Sequence, residues 1–197
     1  MGKKGSVADA MLRRRSHSSV GDKAPSNKEL RRVLEVAGTV ADHAALHPWR
    51  VIAVRGEARE RIGRAIAEAS GAAGSDADKV AKKPLRAPLL LAVVVSPKRS
   101  EKVPDWEQEA VASGVAHVLS LLLDEAGWGV IWRTGRYTRA KAVAKAHGLD
   151  KNEELLGWLY VGGKPARSRL GRRKGVEARK HVSRMPRPKP KAASQDD

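Results

Sequence analysis

The sequence predicts a single layered α/β domain in which helices cover a central β-sheet, and three observations carry that prediction. Apolar periodicity switches between helical and strand spacing along the chain, so helices and strands alternate. Residues 87–95 (APLLLAVVV) form a continuous aliphatic run between prolines, the pattern of a strand buried on both faces. With 197 residues and 41% apolar content, the chain is long enough for one buried core and short for two.

The elements follow in order. Ser6 caps a weak helix over residues 7–15 that ends in a triple Arg, and residues 17–25 read as loop. Ser26 and Glu29 have the spacing of a capping box, which opens a helix whose apolar stripe is Leu30, Val33, Leu34 and Ala37. Residues 38–48 form a loop holding two histidines. Trp49–Arg55 alternates like a short strand, and residues 57–70 make an amphipathic helix on Ile62, Ala65, Ile66 and Ala69. Residues 71–84 are small and polar, with room for one short helix. After the buried strand, residues 105–126 form a long helix that is polar only in its first turn, so it lies inside the molecule or in a subunit interface. Residues 127–133 (GWGVIWR) read as a strand, 138–147 as a short helix and 154–161 as another buried strand before Gly162-Gly163.

The formal charge of +17 is concentrated at the ends. Residues 164–197 hold 12 Lys/Arg against three acids and residues 1–15 hold five against one, while residues 16–163 hold 22 against 18. Residues 167–184 either form a short helix or pack on the body. Residues 185–197, rich in Pro and Lys, lack the apolar surface to offset the entropy of ordering and are expected to be disordered. Such a tail is either merely solvated or attracts polyanions weakly and without sequence preference. The first residues have no apolar segment of signal-peptide length. The longest charge-free run, residues 110–123, is 14 residues, too short for a bilayer. A soluble, cytoplasmic protein is expected.

The absence of cysteine excludes disulfides, thiol nucleophiles and thiolate metal sites. No Gly-x-Ser-x-Gly elbow, phosphate-binding P-loop or Gly-x-Gly-x-x-Gly turn is present. His43 and His47 have metal-ligand spacing, but they sit just before Pro48 with no third ligand nearby; no metal site is assigned, and Asp42-His43 reads instead as a hydrogen-bonded loop pair. His117 reads as a satisfied core residue. Arg13-Arg14-Arg15-Ser16 supplies guanidinium forks and a hydroxyl suited to phosphate, or is a solvated basic turn. Trp132-Arg133-Thr134-Gly135, where a strand emerges at the sheet edge, is either a ligand rim or a set of packing and snorkelling side chains.

These segments in this order, Arg14-Arg15-Ser16, Asp42-His43 before Pro48-Trp49, Arg86-Ala87-Pro88, Val103-Pro104-Asp105-Trp106-Glu107, Gly127-Trp128-Gly129 and Trp132-Arg133-Thr134-Gly135, ending in Tyr160-Val161-Gly162, resemble the FMN-dependent nitroreductase family, in its short single-domain bacterial branch. The resemblance implies an α+β, three-layer sandwich with a central mixed sheet flanked by helices, working as an intertwined homodimer with FMN at the subunit interface. It divides the chain into a basic lead at 1–11, an FMN-binding domain at 12–165 and a basic tail at 166–197. It further implies a two-step exchange of electrons from NADH or NADPH to a nitroaromatic, quinone or similar electron-poor acceptor. No side chain need act as a nucleophile, because the flavin N5 carries the hydride.

By the same resemblance, Arg14, Arg15 and Ser16 hold the FMN phosphate and ribityl chain, His43 contacts FMN, and Trp132, Arg133 and Thr134 line the cofactor, partly through backbone groups. Arg133 is a candidate cation for the charge that reduction places on the flavin N1–C2=O edge. Leu123, Asp124, Glu125, Ala126, Gly127 and Trp128 correspond to a stretch associated with the nicotinamide nucleotide. Two departures stand out. The loop before His43 is one residue short of close relatives and has Val40 where they offer FMN an Arg, and Ser19 lies where many carry another Arg. A lost charge-assisted hydrogen bond costs about 1.5–3 kcal/mol, which Arg13 or residues 167–173 would have to offset. The rival readings are a relative with lost or different redox activity, and a basic polyanion- or nucleic-acid-binding dimer.

Overall fold

A computed structural model describes residues 5–165 and 174–186. The order is α1 (Val7–Arg13), α2 (Asn27–Ala37), β1 (Trp49–Arg55), α3 (Ala58–Ser70), α4 (Gly74–Ala81), β2 (Leu89–Val95), α5 (Asp105–Glu125), β3 (Trp128–Arg133), α6 (Lys141–His147) and β4 (Glu154–Gly163). The capping box is present in full: Ser26 Oγ accepts from the Glu29 amide, and the Glu29 carboxylate accepts from the Ser26 amide at 2.7 Å. The small, polar stretch after Gly71 contains α4, and the helix expected over 138–147 is divided into a 3-10 turn, Arg136–Arg139, and α6.

The architecture is an α+β sandwich with the sheet as its middle layer. Strand order is β1-β2-β4-β3, and β2 is buried along its whole length. Its alternate residues serve two cores. Leu89, Leu91 and Val93 pack with Leu30, Val115, Leu119 and Leu123 from α2 and α5. Leu90, Ala92 and Val94 pack with Ile62, Ile66 and Val143 from α3 and α6. Fully burying a Val or Leu side chain is worth about 1.5–3 kcal/mol, so this strand anchors both layers.

The sheet is antiparallel throughout the described residues, not mixed. The reason lies in the connections. Between β1 and β2 the chain goes out along α3 and returns through α4, re-entering at the end it left, so β2 reverses. The single helix α5 does make β3 parallel to β2, but β4 inserts between them and runs against both.

The long helix α5 buries the apolar stripe Ala112, Val115, Ala116, Leu119 and Leu123, with Gln108, Ser120 and Asp124 beside it. His117 is off that stripe and exposed, so it is not a core residue; 3.6-residue spacing from the stripe puts it on the outer face. Residues 174–186 are exposed and include one 3-10 turn, Ala178–Lys180; the basic segment 167–173 and all but the first two residues of the expected disordered stretch 185–197 lie outside the described residues. No described helix is long and apolar enough to cross a membrane.

Candidate functional site

The N-terminal arm is built to present alternate residues. Ser6 caps α1 by accepting from the Asp9 amide, and Arg15 closes its other end, its Nη1 donating to the carbonyls of Leu12, Arg13 and Arg14 at 2.6, 3.2 and 3.0 Å. Those are carbonyls that a helix end leaves without intrahelical donors. The Arg15 guanidinium is thereby turned back on its own backbone. Arg14 and Ser16 instead line a cavity of about 500 Å³ together with Met11, His117, Ser120 and Trp132. Arg13 is paired with Asp9 and Glu125 at 3.2 Å.

The arm is then pinned to the edge strand. The His17 amide donates to the Val130 carbonyl at 2.9 Å, and Gly21 bridges to Gly163. The His17 ring is buried with its Nε2 3.9 Å from Asp124 Oδ1. Burial pushes its pKa down against the pull of Asp124. Lys164 reaches Asp124 Oδ1 at 3.2 Å and donates to the Asp124 carbonyl at 2.7 Å.

At the end of β3, strand alternation sends neighbouring side chains to opposite faces. Trp132 faces α5 and meets the His117 ring edge-on, centroids 5.0 Å apart. Arg133 lies on the α3 side, its guanidinium 5.3 Å from the centre of the Tyr160 ring. Trp132 Nε1 and Arg133 Nε are both buried without a hydrogen-bond partner, two donors that a ligand's acceptors could satisfy. Gly157 permits this arrangement: it has φ +149°, and a Cβ there would sit 2.5 Å from the Arg133 carbonyl and 2.8 Å from Trp132 Nε1.

The α3-side cavity, about 570 Å³, runs from Trp132, Arg133, Thr134 and Gly135 to Lys83 and Arg86, with Arg136, Trp158 and Tyr160 in its walls. Trp158 is held by its Nε1 donating to His147 Nε2 at 2.9 Å, while His147 Nδ1 donates to the Val143 carbonyl at 2.8 Å. Burial raises the Tyr160 pKa, with Arg133 and Arg86 opposing.

His43 is not part of either cavity. Its loop is bent through residues with positive φ, Ala44 at 62°, Ala45 at 49° and His47 at 47°. Asp42 accepts from the His47 amide at 2.7 Å instead of pairing with His43, and His43 Nδ1 lies 3.0 Å from Glu107 Oε2 in the first turn of α5. There it borders a mainly apolar hollow with Val40, Trp106, Ala110 and Gly114. Among the described residues no three His, Asp or Glu side chains converge to hold a metal.

The stretch Leu123, Asp124, Glu125, Ala126, Gly127 and Trp128 is the end of α5 and the turn into β3. Leu123 is core, Asp124 is held by Lys164, and Trp128 packs against the α5-side core. Only Glu125, Ala126 and Gly127 are exposed.

Sequence reasoning missed His117, Lys83, Arg86, Arg136 and Tyr160. The signal for His117 was present in the apolar stripe of α5. The others come together only when β4 inserts beside β3, which no local pattern announces.

The family model described as "Nitroreductase family" matches residues 11–163. The Escherichia coli (strain K12) protein named "Putative NAD(P)H nitroreductase YdjA" is 34% identical over 157 residues, covering 78% of this chain and 86% of that protein. In structure, the chain is similar to a nitroreductase-like family protein from Bacillus cereus, with a TM-score of 0.79, 21% identity, and coverage of 94% and 98% of the two chains. It is also similar to oxidized iodotyrosine deiodinase bound to FMN and 3-iodo-L-tyrosine, with a TM-score of 0.69, 20% identity, and coverage of 92% and 100%.

Proposed function

Because the chain belongs to the nitroreductase family, we propose that it is an FMN-dependent oxidoreductase that passes electrons from NADH or NADPH to an electron-poor organic acceptor. The observation that carries this reading is the convergence of Arg14, Ser16 and Trp132, distant in sequence, around one cavity that meets a second one at Trp132. The two volumes fall within the ~300–1,000 Å³ usual for cofactor and ligand sites. The donors also fit the group: a guanidinium and a hydroxyl suit phosphate and ribityl oxygens, and the buried Nε1–H of Trp132 lacks an acceptor.

When bound, FMN supplies a two-electron carrier between the nicotinamide donor and the acceptor. For a nitroaromatic the balance is one nitro group, one NAD(P)H and one proton giving a nitroso group, one NAD(P)⁺ and one water. The rest falls to the chain. Arg14 and Ser16 grip the phosphate end. Arg15 serves the site indirectly, by ending α1 so that its two neighbours face the cavity. Backbone bonds from His17 to Val130 and between Gly21 and Gly163 hold the arm against the sheet. Trp132, Arg133 and Thr134 border the ring system, Arg133 and Thr134 through backbone groups. Glu125, Ala126 and Gly127 are the part of the α5 end open to a nicotinamide nucleotide.

The protein works as a homodimer in this reading. The outer face of α5 carries Trp106, Ala110, Gly114, Val118 and Leu121, an apolar strip running from the His43 hollow to the Arg14 cavity. A second copy packed along it would carry its own His43 towards that cavity, which His43 does not reach within one chain.

The test is the visible spectrum of purified protein after incubation with FMN and desalting. Oxidised-flavin bands that bleach anaerobically with NADH or NADPH are expected. Protein that retains no flavin would overturn the proposal, and retained flavin that neither nucleotide bleaches would leave a binding protein or one with a different donor.

A further inference from the structure

The cavity on the α3 side has charge of one sign only. Lys83 and Arg86 reach it from the turn before β2, Arg133 from the end of β3 and Arg136 from the turn that follows; no Asp or Glu lines it. None of these four cations makes an ion pair among the described residues. Elsewhere the body is nearly neutral and pairs its charges freely, as in Arg50–Glu153 and Arg139–Glu109. A partly buried guanidinium is stabilised by a counter-charge and by acceptors for its N–H groups. Here Arg133 has only the face of Tyr160, and its Nε has no partner. Arg136 lies 5.0 Å from the centre of the Tyr137 ring, and its Nη2 donates to the Tyr137 hydroxyl at 2.9 Å. Lys83, Arg86 and Arg136 are exposed, and a hollow lined by charge of one sign draws in an anion.

The walls give the rest of its shape. Tyr137, Trp158 and Tyr160 present ring surface, Ile66 and Ile131 add aliphatic surface, and Trp158 is fixed by His147. Aromatic faces beside guanidinium planes suit a flat ring carrying a carboxylate: the ring stacks and the carboxylate takes paired N–H donors. The cavity adjoins Thr134 and Gly135, at the end of β3 that borders the proposed flavin.

We propose that this cavity selects the acceptor, and that the acceptor is a small aromatic carboxylate bearing the reducible group. Its reduction rests on the FMN reading above; its binding does not. Lys83 and Arg136 are specificity-determining cations that take no part in the proposed flavin contacts.

The experiment is isothermal titration calorimetry of the FMN-loaded protein with 4-nitrobenzoate, nitrobenzene and inorganic phosphate, repeated on the Lys83→Gln/Arg136→Gln variant. The flavin absorbance of each sample is recorded alongside. The proposal expects 4-nitrobenzoate to bind about 10–100-fold more tightly than nitrobenzene, the worth of one charge-assisted contact of about 1.5–3 kcal/mol. The variant should lose about that factor for the carboxylate and keep its weak affinity for nitrobenzene. Equal affinity for the two nitro compounds overturns it, as does a loss in the variant shared equally by both. Phosphate displacing 4-nitrobenzoate at equal concentration overturns the aromatic carboxylate in favour of a plain oxyanion site. Protein without flavin that still binds the carboxylate keeps this site and removes the FMN reading, whereas flavin-loaded protein indifferent to the carboxylate sinks this inference alone.

Discussion

Trp132 and Arg133 are neighbours in the chain and belong to different halves of the molecule. On the α5 side of β3, Trp132 meets His117, Arg14 and Ser16 in a cavity with one arginine and two hydroxyls in its lining. On the α3 side, Arg133 joins three further cations and the rings of Tyr137, Trp158 and Tyr160. The difference teaches that a single strand end can serve two recognition tasks. The pleat separates the side chains, while the backbone between them is common to both. The first side suits a phosphate-bearing cofactor held by a few defined contacts. The second suits an anion whose charge the protein itself does not supply.

The strongest way to break the comparison is to strike the core beneath it. Leu91 and Leu90 are both fully buried, one under each face. Each Leu→Ala change should cost about 2–5 kcal/mol in urea unfolding; a cost near zero on one face would mean that face is a ligand surface and not a core. Next, Gly157→Ala places a Cβ against the Arg133 carbonyl and Trp132. A loss of about 2–3 kcal/mol is expected, within the range for backbone strain and overpacking. The near-UV circular dichroism of Trp132 should change as both cavities are re-aimed, and an unchanged spectrum would separate Gly157 from the site.

Arg14→Ala sharpens the contrast between the faces. It should weaken FMN binding about 10–100-fold, the loss of a charge-assisted contact of about 1.5–3 kcal/mol, with the unfolding midpoint of flavin-free protein almost unmoved. Arg133→Ala should weaken FMN less, since its guanidinium is on the other side; a larger loss than for Arg14→Ala in a flavin-retention assay would reverse the two assignments.

Charge pairing supplies a fourth test. Arg50 donates to both Glu153 oxygens at 2.6 Å, and that contact holds the Glu153 carboxyl down to about 2. A folded pKa below the unfolded one means the stabilisation is full above pH ~4.5 and is lost as pH falls towards 2. Since Arg50 is partly exposed, a discounted loss of about 2 kcal/mol is expected between those limits, and Glu153→Gln should flatten that part of the stability profile. The smallest effect is at the His43 loop. Ala45 has φ +49°, and Ala45→Gly should raise stability by up to about 1 kcal/mol as the left-handed penalty is relieved; a fall would show that the strain is offset by contacts of the alanine methyl.

Much of the fold was legible because its signals are local. The capping box at Ser26–Glu29, the strand Trp49–Arg55 and the aliphatic run of β2 each follow from spacing within one segment, and each is present as read. The helix over residues 105–126 was legible too, but the fate of His117 was not drawn from it. The sense of the sheet was misread as mixed, since pairing depends on where β4 inserts and not on any pattern within β4. At the site, Arg14 and Ser16 do come to one cavity, whereas Arg15 is drawn off by helix-end carbonyls and His43 by Glu107. Those competitors lie outside the motifs that named the residues.

By itself, the sequence determined most of the segments that are helix or strand, and that charge is gathered at the ends, because capping, periodicity and composition act over a few residues. The family resemblance carried by its scattered motifs also lay in the sequence. The tertiary structure alone decided which of those motifs share a cavity. Strand alternation turned Trp132 and Arg133 apart, and insertion of β4 set Tyr160 beneath Arg133 and left four cations facing one another without an acid. Contacts between residues distant in the chain are chosen by how buried surfaces fit, and that choice is written in no single segment.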